Sequence, residues 1–93
     1  MNAANPKSAF TEKQGQYLAF IHAYSLVMGR PPAEADMQRF FAVTPPSVHQ
    51  MVLTLERQGF ISRTPGSARS IQIRIDPEIL PKLQPVISSV QRY

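Results

Sequence analysis

Hydrophobic residues recur at helical spacing in the first third of the chain. They follow one another in steps of about three or four: Tyr17, Leu18, Ile21, Tyr24 and Met28, with Phe20 and Val27 widening the same side. This periodicity predicts a first helix over residues 12–28 with one buried face. The segment "TEKQ" predicts its start, because Thr11 and Gln14 form a capping box. Gly29 predicts its end.

Two more helical segments follow. "AEADMQRFFAV" predicts a short second helix with Met37, Phe40 and Phe41 on its apolar side, although Ala33 stands where a capping side chain is usual. The third helix begins after Thr44, which is a good cap, with Pro45 at its first position, where a missing N–H does no harm. Its apolar positions lie four and three residues apart: Val48, Val52 and Leu55.

Alternation of apolar and polar residues replaces helical spacing after Gly59. Phe60–Ile61 predicts one strand, and isoleucines at 71, 73 and 75, alternating with Gln72 and Arg74, predict a second. "TPGSAR" between them is a hairpin tip longer than a two-residue turn. Three helices followed by a two-stranded hairpin, the wing, predict a winged helix-turn-helix, a mainly α fold with a small β-hairpin.

The flanks of this unit differ from it in composition. Residues 1–10 predict a disordered leader, residues 11–75 the winged helix-turn-helix domain, and residues 76–93 an apolar C-terminal extension. Asp76 and Pro77 predict a helical start there, but Pro81 and Pro85 interrupt it. The extension is too apolar to be a free tail. It packs either on its own domain or on a second subunit as a homodimer contact, and both alternatives stay open.

Charge indicates a class of partner. Ten Lys and Arg against six Asp and Glu give a net charge of +4, and four arginines fall in a stretch without any acid: Arg57, Arg63, Arg69 and Arg74. A local basic patch favours a polyanion, most often nucleic acid. A solvated basic edge without a partner is the alternative.

The third helix and the wing carry the candidate contact residues. A helix held by a shorter preceding helix can enter the major groove of DNA, where its outward side chains meet base edges. The predicted contact residues are Thr44, Pro46, Ser47, His49, Gln50 and Thr54 on the helix, and Arg63, Arg69 and Arg74 on the wing for phosphates. An ordinary soluble helix surface and an inert charged hairpin are the alternatives.

Other chemistries find little support in the sequence. There is no cysteine, and His22 and His49 fall on different predicted helices, so no metal or catalytic group is expected. We therefore predict no enzyme, no cofactor and no small-molecule substrate. Apolar runs are too short to span a membrane, and residues 1–10 do not form a signal peptide. The cytoplasm is the expected location because nothing directs the chain elsewhere.

A second function class stays open: a winged helix that binds another protein. Leu53 falls on the outward side of the third helix, where a charged residue is usual. Leu53, the Phe40–Phe41 pair and the extension would form its surface. Exposed apolar area would favour this class over DNA binding.

Several motifs resemble a known family. "TEKQGQYLAFI", "GRPP", "LERQGFI" and "GSARSIQI" are similar, in this order, to segments of the N-terminal DNA-binding domain of the bacterial LexA repressors. The resemblance runs from Thr11 to Ile75. It implies a transcriptional repressor that inserts the third helix into an operator, with Thr44, Pro46, Ser47, His49 and Gln50 at the DNA-contacting positions.

The chain also differs from the family in two respects. Family members recognise their operator with a small polar set rich in Asn and Glu, whereas this chain has Pro46, His49 and Gln50. A different operator is therefore expected. The family's self-cleaving serine–lysine peptidase domain has no counterpart in the 93 residues, so we expect regulation without self-cleavage and dimerisation, if any, through the extension.

Overall fold

The structure, a computed structural model, describes residues 9–85. Its elements in chain order are α1 (Glu12–Met28), α2 (Glu34–Phe41), α3 (Pro45–Arg57), β1 (Ile61–Ser62), β2 (Gln72–Ile73) and a 3-10 turn (Pro77–Ile79). The two strands pair antiparallel, with Ile61 opposite Ile73 and Ser62 opposite Gln72. The predicted winged helix-turn-helix is thereby confirmed.

Side chains next to the helix ends explain the bounds of α1. Gln14 N–H donates to Thr11 Oγ1 at 3.0 Å, and Thr11 N–H donates back to Gln14 Oε1 at 2.9 Å, which completes the capping box. At the other end Gly29 adopts the left-handed conformation, with φ of 72°, and donates to the Ser25 carbonyl. Both ends are those predicted, because both depend on residues within one turn.

The starts of α2 and α3 use different devices. Ala33 has no capping side chain, but the carboxylate of Asp36 accepts the Ala33 N–H at 2.8 Å and so supplies half of a capping box. Thr44 caps α3 by accepting the Ser47 N–H at 3.3 Å, and Pro45 occupies the first helical position. The prolines at the start of α3 therefore initiate the helix.

The second strand of the wing is shorter than predicted, and the first has the predicted length but begins one residue later. Each has two residues, because the chain between them is organised by a side chain and not by a ladder. The Ser70 hydroxyl accepts the Thr64 N–H at 2.8 Å and donates to the Thr64 and Ser67 carbonyls at 3.2 and 3.1 Å. One hydroxyl thus holds the tip in place of further strand pairing.

The core lies between the three helices and the inner face of the wing. It is formed by buried side chains from the three helices, from β1 and from the residue before β2: Tyr17, Leu18, Phe20, Ile21, Met37, Phe41, Val48, Val52, Leu55, Ile61 and Ile71. Tyr17 stacks on Phe41 with ring centroids 4.2 Å apart. The predicted apolar faces of α2 and α3 are confirmed, including the three fully buried positions of α3.

The predicted buried face of α1 is wrong for its last turn. Val27 is 81% exposed and Leu26 is 72% exposed, and Met28 is exposed as well. The helical pattern continues to the end of α1, but among residues 9–85 no element covers this turn. Periodicity in a sequence shows which side of a helix is apolar, and it does not show how far the neighbouring elements extend.

The flanking segments join the core, as far as they are described. Phe10, the last residue of the predicted leader, is half-buried and meets Phe60 edge to face at 5.9 Å. A Cβ on Gly15 would lie 3.0 Å from both the Phe10 ring and Pro81, so glycine permits this close packing. Residues 1–8 and 86–93, with most of the leader and the end of the extension, lie outside the described residues.

The first part of the extension packs on its own domain. Leu80 and Leu83 are half-buried against the core. The side chain of Gln16, which is buried, donates to the Lys82 carbonyl and accepts the Gln84 N–H, both at 2.8 Å. Of the two arrangements that the sequence left open, these residues adopt the intramolecular one. The predicted cap is also present, since Asp76 accepts the Glu78 N–H at 2.9 Å.

Candidate nucleic-acid interface

The first two turns of α3 expose a row of polar side chains. Ser47, His49 and Gln50 are exposed, while Val48 between them is fully buried. The Thr44 hydroxyl donates to the Ser47 hydroxyl at 3.0 Å in addition to capping the helix. Because burial of Val48 fixes the rotation of α3, the neighbouring polar side chains must face outward.

An open groove joins this row to the start of α1. It is lined by residues of both helices: Thr11, Lys13, Gln14, Pro46, Ser47, Gln50, Met51 and Thr54. Gln14 also connects the two helices, since its amide donates to Gln58 Oε1 at 3.0 Å. The groove therefore brings together four of the predicted contact residues, Pro46, Ser47, Gln50 and Thr54.

Lys13 is a residue of this groove that the sequence analysis did not single out. It is exposed, and it follows the capping threonine of α1 by two positions. The N-terminus of a helix carries a partial positive charge, and the ammonium group adds a full one beside the polar row of α3. Only the tertiary contact between α1 and α3 reveals this position, so no local pattern could have indicated it.

His49 leaves the groove and contacts α2. Its Nδ1 lies 3.2 Å from both carboxylate oxygens of Glu34, the first residue of α2. The His49 side chain is still 51% exposed. The predicted contact residues of α3 are therefore divided between the groove and the contact with α2.

The wing tip lies beside the start of α2. A depression is lined on one side by Ala33, Glu34 and Ala35 and on the other by Arg63, Ser67, Ala68, Ser70 and Ile71. The Arg63 Nε donates to Glu56 of α3 at 2.8 Å, and both side chains remain partly exposed. Arg63 thus lies on the surface between the wing and α3, paired but accessible.

Arg69 is placed differently from Arg63. It is predicted beside the tip for phosphate binding, and in the structure its guanidinium bonds to other parts of the domain while the side chain stays 35% exposed. Its Nη1 donates to Asp36 Oδ2 at 3.0 Å, to the Tyr24 hydroxyl at 3.1 Å and to the Pro31 carbonyl at 3.2 Å. Three elements therefore meet at one guanidinium, which favours a structural role for Arg69.

Asp36 is the buried partner of this arginine, with a side chain only 9% exposed. Burial acts to raise its pKa, but the Ala33 N–H and the guanidinium of Arg69 outweigh burial, and Arg39 adds to them. The pKa of Asp36 is therefore held below its ordinary value. The carboxylate stays ionised and ties the wing to α1 and α2.

The remaining predicted residues lie further along α3 and the wing. Thr54 accepts a hydrogen bond from Arg57 at 3.3 Å on the exposed face of α3. Arg74 is exposed, and its backbone N–H donates to the Phe60 carbonyl at 2.9 Å, which places it at the base of the wing and away from the tip. The arginines of the acid-free stretch thus have different partners within the domain.

Across residues 9–85 no three His, Asp or Glu side chains lie close enough to bind a metal ion. Within the same range no helix combines the length and the apolar character needed to cross a bilayer.

Known proteins share much of this sequence. The family model for the LexA DNA binding domain matches residues 7–70, more than half of the chain. A LexA repressor of Thermosipho melanesiensis is 40% identical over 63 residues, which are 68% of this chain and 32% of that protein. A LexA repressor of Thermosipho africanus is 38% identical over 68 residues, 73% of this chain and 34% of that protein. The chain spans about a third of the length of these relatives.

Proposed function

The chain belongs to the LexA DNA-binding domain family, and from this premise we propose that it binds double-stranded DNA at a specific sequence and acts as a transcriptional repressor. In this proposal α3 enters the major groove and the wing contacts the sugar–phosphate backbone. Location in the cytoplasm and a homodimer through the C-terminal extension, residues 76–93, stay predictions.

The observation that carries the proposal is the groove between α1 and α3. It combines Ser47, Gln50 and Thr54, which can hydrogen-bond base edges, with the cationic Lys13 at a helix N-terminus. The major groove of DNA is wide enough to admit α3, and a Gln amide can pair with adenine through two hydrogen bonds. A phosphate of the flanking strand would then lie near the start of α1.

The contact residues are revised accordingly. We propose base contacts for Pro46, Ser47, His49 and Gln50, with Thr44 and Thr54 at the edges of the same surface. Lys13, Arg63 and Arg74 are proposed for phosphates, since each side chain is at least partly exposed. Arg69 is left out of this set because its guanidinium already donates to three acceptors of the domain, although its side chain is 35% exposed.

The first experiment is selection of bound duplexes from a random library at about 150 mM salt, since specificity depends on the salt concentration. We expect one enriched motif. Replacement Gln50→Ala should then weaken binding to the selected duplex by about 1–3 kcal/mol and binding to a scrambled duplex very little. Gln84→Ala, which removes an exposed amide from the extension, serves as the matched control. Equal losses on both duplexes would contradict base recognition by Gln50.

Binding to another protein is the second candidate function. The Phe40–Phe41 pair does not form an exposed surface for it, because Phe41 is fully buried and the ring of Phe40 packs on that of Phe20, with centroids 4.8 Å apart. The exposed apolar side chains at the end of α1, Leu26, Val27 and Met28, favour this function instead. Retention of no duplex in the selection would favour it over DNA binding.

A further inference from the structure

We infer that Glu34, on α2, determines which base His49 recognises, by fixing the hydrogen-bonding role of its imidazole ring. This inference rests on the proposed function, since it names how one contact residue of the same surface discriminates. Glu34 touches no base in this scheme and acts as a positioning residue for His49.

The contact between the two side chains fixes the proton on one ring nitrogen. His49 Nδ1 is 3.2 Å from both oxygens of Glu34. An ionised carboxylate only accepts hydrogen bonds, so Nδ1 must carry the hydrogen and donate it. In a neutral imidazole the other nitrogen, Nε2, then has a lone pair and no hydrogen. His49 therefore presents an acceptor to its ligand.

An acceptor selects among base edges in the major groove. Adenine and cytosine offer amino groups that donate to it, whereas guanine offers two acceptors that oppose it. Protonation of the ring would put a hydrogen on Nε2 as well, and the imidazolium would then donate to guanine. The same side chain thus prefers adenine or cytosine when neutral and guanine when protonated.

Among the groups around His49, Glu34 is the one that determines which ring nitrogen carries the hydrogen. From α2 only Glu34 contacts the ring among the described residues, and from the wing Arg63 lines the depression next to Glu34 but bonds to Glu56. Within α3 the positions three and four residues away from His49 are uncharged: Pro45, Pro46, Val52 and Leu53.

The ring tautomer can be tested without DNA. In imidazole nitrogen NMR of the full chain at about pH 8, where histidine is normally neutral, we expect His49 to carry its hydrogen on Nδ1. In Glu34→Ala the hydrogen should redistribute toward Nε2. Glu78→Ala removes an exposed carboxylate that lies with Phe10 and Pro81 and not beside His49, and it should leave the spectrum unchanged. A hydrogen on Nε2 in the unsubstituted protein would overturn the inference.

The base preference is tested by selection from the random duplex library at about pH 8 and about pH 5.5, on either side of the usual histidine transition. His49→Ala identifies the base position, because enrichment there should disappear at both pH values. At that position the unsubstituted protein should favour adenine or cytosine at the higher pH and guanine at the lower. In Glu34→Ala the preference for adenine or cytosine at the higher pH should fall by about fivefold, which corresponds to the loss of one net hydrogen bond.

The outcomes separate the inference from the proposed function. An enriched motif whose His49 position is unaffected by pH and by Glu34→Ala would overturn the inference and leave DNA recognition standing. Absence of any enriched motif, with the expected tautomer in the NMR spectrum, would overturn sequence-specific DNA binding and with it the base preference. The expected changes confined to one base position would support both.

Discussion

Asp36 shows how one side chain can serve several elements. Its carboxylate accepts the N–H that begins α2, pairs with Arg39 on the same helix and receives Arg69 from the wing. Through Arg69 it is linked to the Tyr24 hydroxyl of α1 and the Pro31 carbonyl. Because these partners favour the charged form, folding and ionisation of Asp36 support each other.

We predict that acid destabilises the domain partly through Asp36. Its pKa is lower in the folded chain than in the unfolded one, so its contribution is complete above the unfolded pKa and is lost as pH falls through the folded pKa. The free energy of unfolding should therefore decline between about pH 5 and about pH 2. Urea unfolding across this range measures it.

Two substitutions test whether Asp36 causes this acid sensitivity. Asp36→Asn should be less stable than the unsubstituted chain at neutral pH and should show a flatter decline in acid. Glu78→Gln, which removes an exposed carboxylate, should follow the unsubstituted chain. An equally steep decline in Asp36→Asn would show that other carboxyl groups cause the acid sensitivity.

We predict that Lys13 contributes one phosphate contact to DNA binding. If its ammonium group contacts a phosphate, Lys13→Ala should weaken binding to all duplexes and reduce the slope of log affinity against log salt by about 0.9, the value for one phosphate contact. Lys82→Ala removes an exposed lysine of the extension and should keep the slope. Affinity titrations at several salt concentrations measure both, and an unchanged slope in Lys13→Ala would remove Lys13 from the interface.

Elements whose ends depend on nearby side chains could be predicted from the sequence. Thr11, Thr44 and Asp76 each cap the segment that follows them, as predicted, because a cap involves residues within one turn. The strands were less predictable, since Ser70 replaces part of their pairing. The exposed last turn of α1 was missed because burial depends on which elements reach it.

The capping box of α1 can be tested directly. Thr11→Ala should lower the free energy of unfolding by about 1 kcal/mol, because the Gln14 N–H loses its acceptor. Thr64→Ala, at an exposed position of the wing tip where the backbone and not the hydroxyl is bonded, is the control and should change stability by less. Chemical unfolding measures both variants. Equal effects would mean that the cap contributes nothing beyond the lost side chain.

The candidate site could be predicted only in part, because several of its contacts join residues that are far apart in the sequence. The polar row of α3 follows from helical spacing around Val48, which is a local property. The hydrogen bonding of Arg69 depends on acceptors 33 to 45 residues away, and the contact of His49 with Glu34 spans 15 residues. Lys13 joins the groove only when α1 packs beside α3. Spacing within one element carries no information on these contacts.

The described part of the extension completes the domain. Gln16 contacts backbone atoms 66 and 68 residues further along the chain. Pro81 packs where Gly15 has no side chain. The folded unit therefore continues beyond Ile75, the end of the family resemblance, to the contacts of residues 80–84.

We predict that Gln16→Ala releases this segment. The Gln84 N–H loses its acceptor, so its hydrogen exchange should accelerate while exchange in the middle of α3 stays slow. Gln72→Ala, at an exposed position, should leave the Gln84 N–H protected. Amide-resolved exchange by NMR measures this. Unchanged protection at Gln84 in Gln16→Ala would mean that the apolar contacts of Leu80 and Leu83 suffice to hold the segment.

The hydrogen bonds of Gln16 also bear on the order in which the domain forms during synthesis. A ribosome delivers α1 well before residues 82–84, so the partners of Gln16 are missing while the three helices and the wing are already outside. During that interval the side of α1 around Phe10 and Gly15 is uncovered. The contacts of Gln16 therefore form only after residues 82–84 have left the ribosome, and until then this side of α1 is open to aggregation.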